Sequence, residues 1–168
     1  MSRRQRFRGE SRHKVDGKGR VSIPANFRRV IQDLDPGYVE GKNPEFVIVY
    51  GGSTRNYLEC FTIKAIEEVD LKIEALPRGS VERKMLERMF NGQAQDSWVD
   101  DTGRIVLSAK LREKVGITDE AFFIASGDTF QIWNPDTYEA EQEAVEKWFD
   151  ELPDDVDPVI FLDQAREA

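Results

Sequence analysis

Five cations crowd one short stretch of this 168-residue chain, namely Arg8, Arg12, Lys14, Lys18 and Arg20, around the turn Asp16-Gly-Lys-Gly19. The chemistry they offer is polyanion binding. An arginine fork matches guanine O6 and N7, while lysines and backbone amides hold phosphates. Asp16 and Arg20 stand four apart across the turn, so they can equally pair with each other and fix it. Asp100, Gly103 and Arg104 repeat the spacing of Asp16, Gly19 and Arg20, but among acids (Asp96, Asp101). Internal pairing therefore accounts best for the second turn, and DNA contact for the first.

Other chemistries lack residues. His13 is the one histidine and Cys60 the one cysteine, so neither a zinc site nor a Ser-His triad on Ser11, Ser22 or Ser108 can be assembled. Cys60 lies in an apolar run and reads as a buried thiol. Asp16 to Gly19 lacks the spacing of a phosphate-binding P-loop. Asp154 and Asp155 lie in a solvated acidic tail. No enzyme, metal or cofactor is expected. The longest apolar runs, Phe46 to Tyr50 and Ala121 to Ala125, are five residues each, against about 20 for a membrane span. The basic N-terminus has no apolar run or cleavage site of the secretory kind. No membrane partner and a cytoplasmic location are expected.

Charge is unevenly distributed. The net is -8, yet residues 1–31 carry +8 and residues 135–168 carry -10. The basic end suggests nucleic acid or an anionic membrane as partner, and the acidic end would repel a polyanion.

These residues sit on a duplication. Val15 to Ile31 aligns with Val99 to Val115 at an offset of 84, with six of 17 positions identical and four more exchanging one apolar residue for another. Two copies are too few for a solenoid and imply a duplicated small domain with pseudo-twofold packing. Each copy reads β-β-α-β-β. A strand, a Gly turn and an alternating strand signal a hairpin, a two-stranded ribbon narrow enough for a major groove. A helix follows, with Pro24 at its first position and Ile23, Phe27, Val30, Ile31 and Leu34 on one face. Ser108 caps the second copy's helix. Two strands come next, around Gly51 to Thr54 and Ser126 to Asp128. A closing helix begins after Thr62 in one copy and after Asn134-Pro135 in the other. From Ser80 a linking amphipathic helix carries Val81, Met85, Leu86, Met89 and Phe90 and ends near Gly92. The tail from Leu152 reads as an extended arm. The divisions are a basic arm (1–6), a first half (7–76), the linking helix (77–92), a second half (93–152) and an acidic tail (153–168). A half-domain this small is marginal alone, so the halves should share one core.

Phe7-Arg-Gly9, His13 to Arg20, Pro24, Phe27-Arg28, Asp100 to Arg104 and Leu111-Arg112 closely resemble the MraZ family. The resemblance covers nearly the whole chain, and two D-x-x-x-R motifs in register make it specific. It implies an α+β fold, mainly β, in which two tandem AbrB-like halves form a swapped-hairpin-like, pseudo-dimeric β-barrel with flanking helices. It also implies a bacterial regulator of the division and cell-wall gene cluster. Such a regulator works as a ring-shaped homo-oligomer on the nucleoid, binding direct repeats in double-stranded promoter DNA upstream of its own gene and repressing it. The contact motif falls on Asp16 to Arg20, with Arg20 and Lys18 toward DNA; Arg8, Arg12 and Lys14 are added from charge. Ser108 departs from the family where a proline is usual, and the segment between Leu34 and Glu45 is an insertion. The competing reading is a ring scaffold with only non-specific anion binding. An AbrB-type antitoxin is a nearer variant, but those chains generally carry one motif.

Overall fold

The computed structural model describes residues 6–167. They form two compact units, residues 6–135 and 136–167. In the first unit β1 (Glu10–Lys14), β2 (Arg20–Ser22), α1 (Ala25–Asp33), β3 (Glu45–Val49), β4 (Tyr57–Thr62) and α2 (Ile63–Glu74) make one half. After α3 (Val81–Glu87) and a π-helical turn (Arg88–Gly92), the order repeats as β5 (Ala94–Trp98), β6 (Arg104–Val106), α4 (Ala109–Val115), β7 (Glu120–Ser126) and β8 (Thr129–Trp133). The mixed α and β architecture and the repeated β-β-α-β-β order are those expected.

The pairing of the first strands differs from a hairpin. β1 and β2 share only the turn and one bridge, Val15 to Val21, and then part. β1 crosses to the second half and pairs with β7, while β5 crosses to the first half and pairs with β3. The antiparallel sheet thus runs β1-β7-β8-β4-β3-β5, and β2 pairs with β6 in a separate ribbon. An alternating strand is complementary to any antiparallel neighbour, and its own sequence does not name that neighbour. The ribbon foreseen from β1 and β2 is therefore built from one strand of each half.

This exchange makes one core from both copies. Phe7, Phe27, Phe46, Phe123 and Phe130 are buried together. Phe130 lies 5.0 Å from Phe7, 5.0 Å from Phe27 and 6.0 Å from Phe46, ring centre to ring centre. Such tilted and edge contacts add about 0.5–1.5 kcal/mol each beyond their buried area. The face of α1 is as patterned, with Phe27, Val30 and Ile31 buried. A smaller cluster of Val47, Val49, Phe61, Ala65 and Ile66 lies beneath α2, with Met89 and Phe90 against it.

Local signals place the helix starts. Thr62 Oγ1 accepts from the Ala65 amide at 3.1 Å, Ser80 Oγ from Arg83 at 3.2 Å and Ser108 Oγ from Leu111 at 3.4 Å. In the linking helix Val81 and Met85 are exposed, contrary to their expected inward face. The π-helical turn shifts the helical phase, so that Met89 and Phe90 face the small cluster while Val81 and Met85 do not. Arg83 is the buried residue of α3, and its Nη1 donates to the Glu74 and Leu76 carbonyls that end α2. The insertion after Leu34 is tied by Asp35, whose Oδ1 accepts from Gly37 and Oδ2 from Glu45, each at 3.0 Å.

The second unit consists of most of α5 (Pro135–Asp150) and a 3-10 helix (Pro158–Glu167). The tail read as extended is therefore coiled, with Phe161 against Trp148 at 5.6 Å. The apolar residues Val159 and Ile160, spaced within an acidic background, begin that turn.

The halves interlock at two reciprocal hydrogen bonds. The Leu107 amide donates to the Gly19 carbonyl at 2.7 Å, and the Ile23 amide to the Gly103 carbonyl at 3.0 Å. Both glycines have positive φ, +82° and +78°. A Cβ on Gly19 would stand 2.1 Å from the Leu107 carbonyl oxygen, whereas one on Gly103 would meet nothing within 4 Å. Gly103→Ala should cost only the left-handed backbone penalty, about 1–2 kcal/mol. Gly19→Ala should cost at least twice as much because the halves must move apart. Urea unfolding of the two variants checks this, and equal losses would contradict the interlock.

Candidate nucleic-acid interface

Asp16 organises the first turn. Its Oδ1 accepts from the Lys18 and Arg20 amides, each at 2.9 Å, and its Oδ2 from Arg20 Nε at 2.6 Å. The Gly19 amide closes the turn onto the Asp16 carbonyl at 2.9 Å. These are the Asx-type bonds by which an aspartate substitutes for backbone in a turn. The Arg20 amide above all, then its guanidinium, holds the Asp16 carboxyl down at about 2. The carboxylate therefore stays ionised throughout the neutral range.

Asp100 builds the same turn. Its Oδ1 accepts from the Thr102 and Arg104 amides, each at 2.9 Å, and from Thr102 Oγ1 at 2.7 Å. Partial burial opposes ionisation, but the Arg104 amide and Thr102 outweigh it, so this carboxyl also lies below its ordinary value. Arg104 Nε donates to Thr102 Oγ1 at 2.9 Å and stands 3.8 Å from Asp100 Oδ2. The arginine is thus held more closely by its aspartate in the first turn than in the second.

The β2–β6 ribbon joins the two turns. Its register sets Arg20 opposite Val106 and Ser22 opposite Arg104, while Val21 and Ile105 between them point into the core. Both motif arginines consequently occupy one outward face, at diagonally opposed corners of a ribbon three residues long. No spacing within one motif could have disclosed that shared face.

The other cations lie apart. Arg8, Arg12, Lys14 and Lys18 are exposed, and Arg20 is partly so. Lys18 shares the turn with Arg20. Arg12 and Lys14 project from β1 on the side opposite Ser11 and His13, and Arg12 stands 3.6 Å from Glu120. His13 packs edge-on against Phe123 and shares a 2.7 Å hydrogen bond with Ser11 Oγ. Burial lowers its pKa. Cys60 is fully buried, and burial pushes its thiol well up. Among the described residues no group of three or more His, Cys, Asp or Glu is placed to hold a metal ion.

Two exposed residues were not singled out from sequence. Trp98 and Val106 line a hollow of about 260 Å³ beside the second turn with Asp96, Asp100, Arg104 and Ser108. The repeat carries their signal, because they stand at the positions of Lys14 and Ser22.

The geometry meets a family here. A family profile described as MraZ protein, antitoxin-like, matches residues 6–61 and 89–154. The chain belongs to the MraZ family. Its relatives include the transcriptional regulator MraZ of Ruegeria pomeroyi, 65% identical, the alignment covering 96% of this chain and 97% of the relative. That of Cereibacter sphaeroides is 45% identical, covering 95% and 96%. That of Rickettsia akari is 35% identical, covering 79% and 84%. The MraZ family is one of transcriptional regulators and not of enzymes. Both D-x-x-x-R turns fall inside the matched segments.

The first turn's electrostatics can be titrated. Asp16 is depressed, so its stabilising bonds are complete above the ordinary carboxylate value of about 3.9 and are lost as pH falls toward 2. In Arg20→Ala the backbone bond remains and the guanidinium bond goes, so the Asp16 midpoint should rise yet stay below about 3.9. Carbon-detected NMR of the carboxyl reads this. A midpoint in the mutant equal to wild type would remove the guanidinium from the cause.

Proposed function

We propose that the chain is a sequence-specific DNA-binding transcriptional regulator that represses the promoter of its own gene cluster through direct repeats in double-stranded DNA. The observation that carries this reading is the Asp16-held Arg20. Asp16 fixes Nε, leaving Nη1 and Nη2 without a partner among the described residues. An arginine oriented in this way meets DNA with its terminal fork free and with less side-chain entropy to lose, as a bidentate contact to guanine requires. Lys18, exposed on the same turn, supplies a phosphate contact, and Arg8, Arg12 and Lys14 widen the positive field. Asp16 and Gly19 in the first turn, with Asp100, Gly103 and Arg104 in the second, shape the motif.

One turn reads few bases. Assembly of several chains, as a ring-shaped homo-oligomer, sets many turns along successive direct repeats and multiplies weak contacts through effective concentration. Repression of genes for division and wall synthesis would be exerted in the cytoplasm, at the nucleoid. No described helix is long and apolar enough to cross a membrane.

The test is a titration of duplex from the region upstream of the protein's own gene, against scrambled duplex, at several salt concentrations. Wild type should prefer the native duplex. Arg20→Ala should lose about 1–3 kcal/mol of that preference, whereas Lys18→Ala should weaken both duplexes alike and reduce the salt slope by about 1. Equal, salt-labile binding to both duplexes by wild type would favour a scaffold with only non-specific anion affinity. Undiminished preference in folded Arg20→Ala would remove Arg20 from the readout.

A further inference from the structure

The duplication has given two flanks of similar backbone and opposite chemistry. On the flank of the first turn stand Arg12, Lys14, Gly17 and Lys18; the equivalent positions on the second are Asp96, Trp98, Asp101 and Thr102. Ser22 is likewise replaced by Val106. The first flank is exposed and cationic. The second is acidic and leaves two large apolar side chains in solvent, Trp98 53% and Val106 47% exposed, at the rim of the hollow beside Arg104. The acidic character continues beyond Asp96 into a cleft that also contains Glu67 and Asp70. Burial first, and Glu74 and Glu67 next, push the Asp70 carboxyl up.

We propose that the Asp96–Trp98–Val106 flank of one chain docks on the Arg12–Lys14 flank of a second copy, head to tail. This rests on the self-association reading above and names its surfaces. Twofold contact between like flanks would oppose Arg12 and Lys14 to themselves, or Asp96 and Asp101 to themselves. Contact between unlike flanks sets cations against carboxylates, brings a lysine or guanidinium over the Trp98 indole, and removes Trp98 and Val106 from water. Every chain keeps one unused flank of each kind until the assembly closes. Such a heterologous contact gives a ring where the rotation closes and a filament where it does not. In the assembly Arg12 and Lys14 serve the subunit contact rather than the field toward DNA, for which Arg8, Lys18 and Arg20 remain.

The experiment uses the full chain without DNA, with mass read by sedimentation and folding by thermal melts. Arg12→Asp with Lys14→Asp makes both flanks acidic, and Asp96→Lys with Asp101→Lys makes both basic. Each double variant alone should sediment as the 19.3 kDa monomer. An equimolar mixture should recover the wild-type mass, because each then meets its complement. Trp98→Ala, which leaves every charge in place, should raise the dissociation concentration at least tenfold. A mixture that stays monomeric, or a charge variant that keeps the wild-type mass, overturns the assignment of surfaces while leaving assembly itself standing. A wild-type chain monomeric at every concentration overturns the assembly reading and this one together.

Discussion

The close approach of Gly19 to the Leu107 carbonyl is the constraint on which the rest of the first unit depends. At this point the turn of one half lies against the backbone of the other with no room for a side chain. The reciprocal bonds at Gly19 and Gly103 dock the two turns, and the register of β2 on β6 follows from that docking. β1 stays with β2 only at the Val15–Val21 bridge, and beyond the turns β1 and β5 part from β2 and β6. They leave for the opposite half's sheet. The exchange accompanies the meeting of the two turns, and it places Phe7, Phe27 and Phe46 of one copy and Phe123 and Phe130 of the other in one core.

Exchange also explains why the candidate interface needs no loop of its own. A ribbon whose inward residues, Val21 and Ile105, are almost fully buried is anchored by the main core. Its outward residues inherit that rigidity. Asp16 then restricts Arg20 further through two bonds, one from its amide and one from its Nε. Each step removes freedom that DNA binding would otherwise have to remove, and orientation of this kind adds affinity without adding contacts.

What could be read in the chain beforehand divides along a physical line. Periodicity, caps and turn residues are local, so α1, the starts at Thr62, Ser80 and Ser108, and both Asx turns were legible. The repeat disclosed that the halves would share a core. Strand pairing is not local, and nothing in β1 distinguishes β2 from β7 as a neighbour. The phase of α3 failed for a related reason, since a π-helical turn is set by where Met89 and Phe90 must pack rather than by their spacing. In the candidate site the residue types and the Asp16–Arg20 pairing were visible, but the face shared by Arg20 and Arg104 arises only from ribbon register. The two ion pairs differ through Thr102, whose Oγ1 accepts from the Arg104 Nε, a bond that the shared Asp-to-Arg spacing does not disclose.

Duplication explains why the two turns have diverged in opposite directions. In a symmetric dimer of single halves, any change to one turn appears in both, so a surface suited to DNA must be present twice and a surface suited to protein cannot be added separately. Joining the halves in one chain removes that coupling. The scaffold bonds, Asp to amides and Gly to the opposing strand, are retained in both copies because the exchanged fold requires both. The exposed positions are not so bound, and there Lys14 faces Trp98, Ser22 faces Val106 and Lys18 faces Thr102 across the alignment. A cation and an indole at equivalent places cannot serve the same partner equally well. One turn stays basic beside an arginine whose fork is free; the other becomes acidic and apolar, a composition that repels phosphate and suits a protein surface.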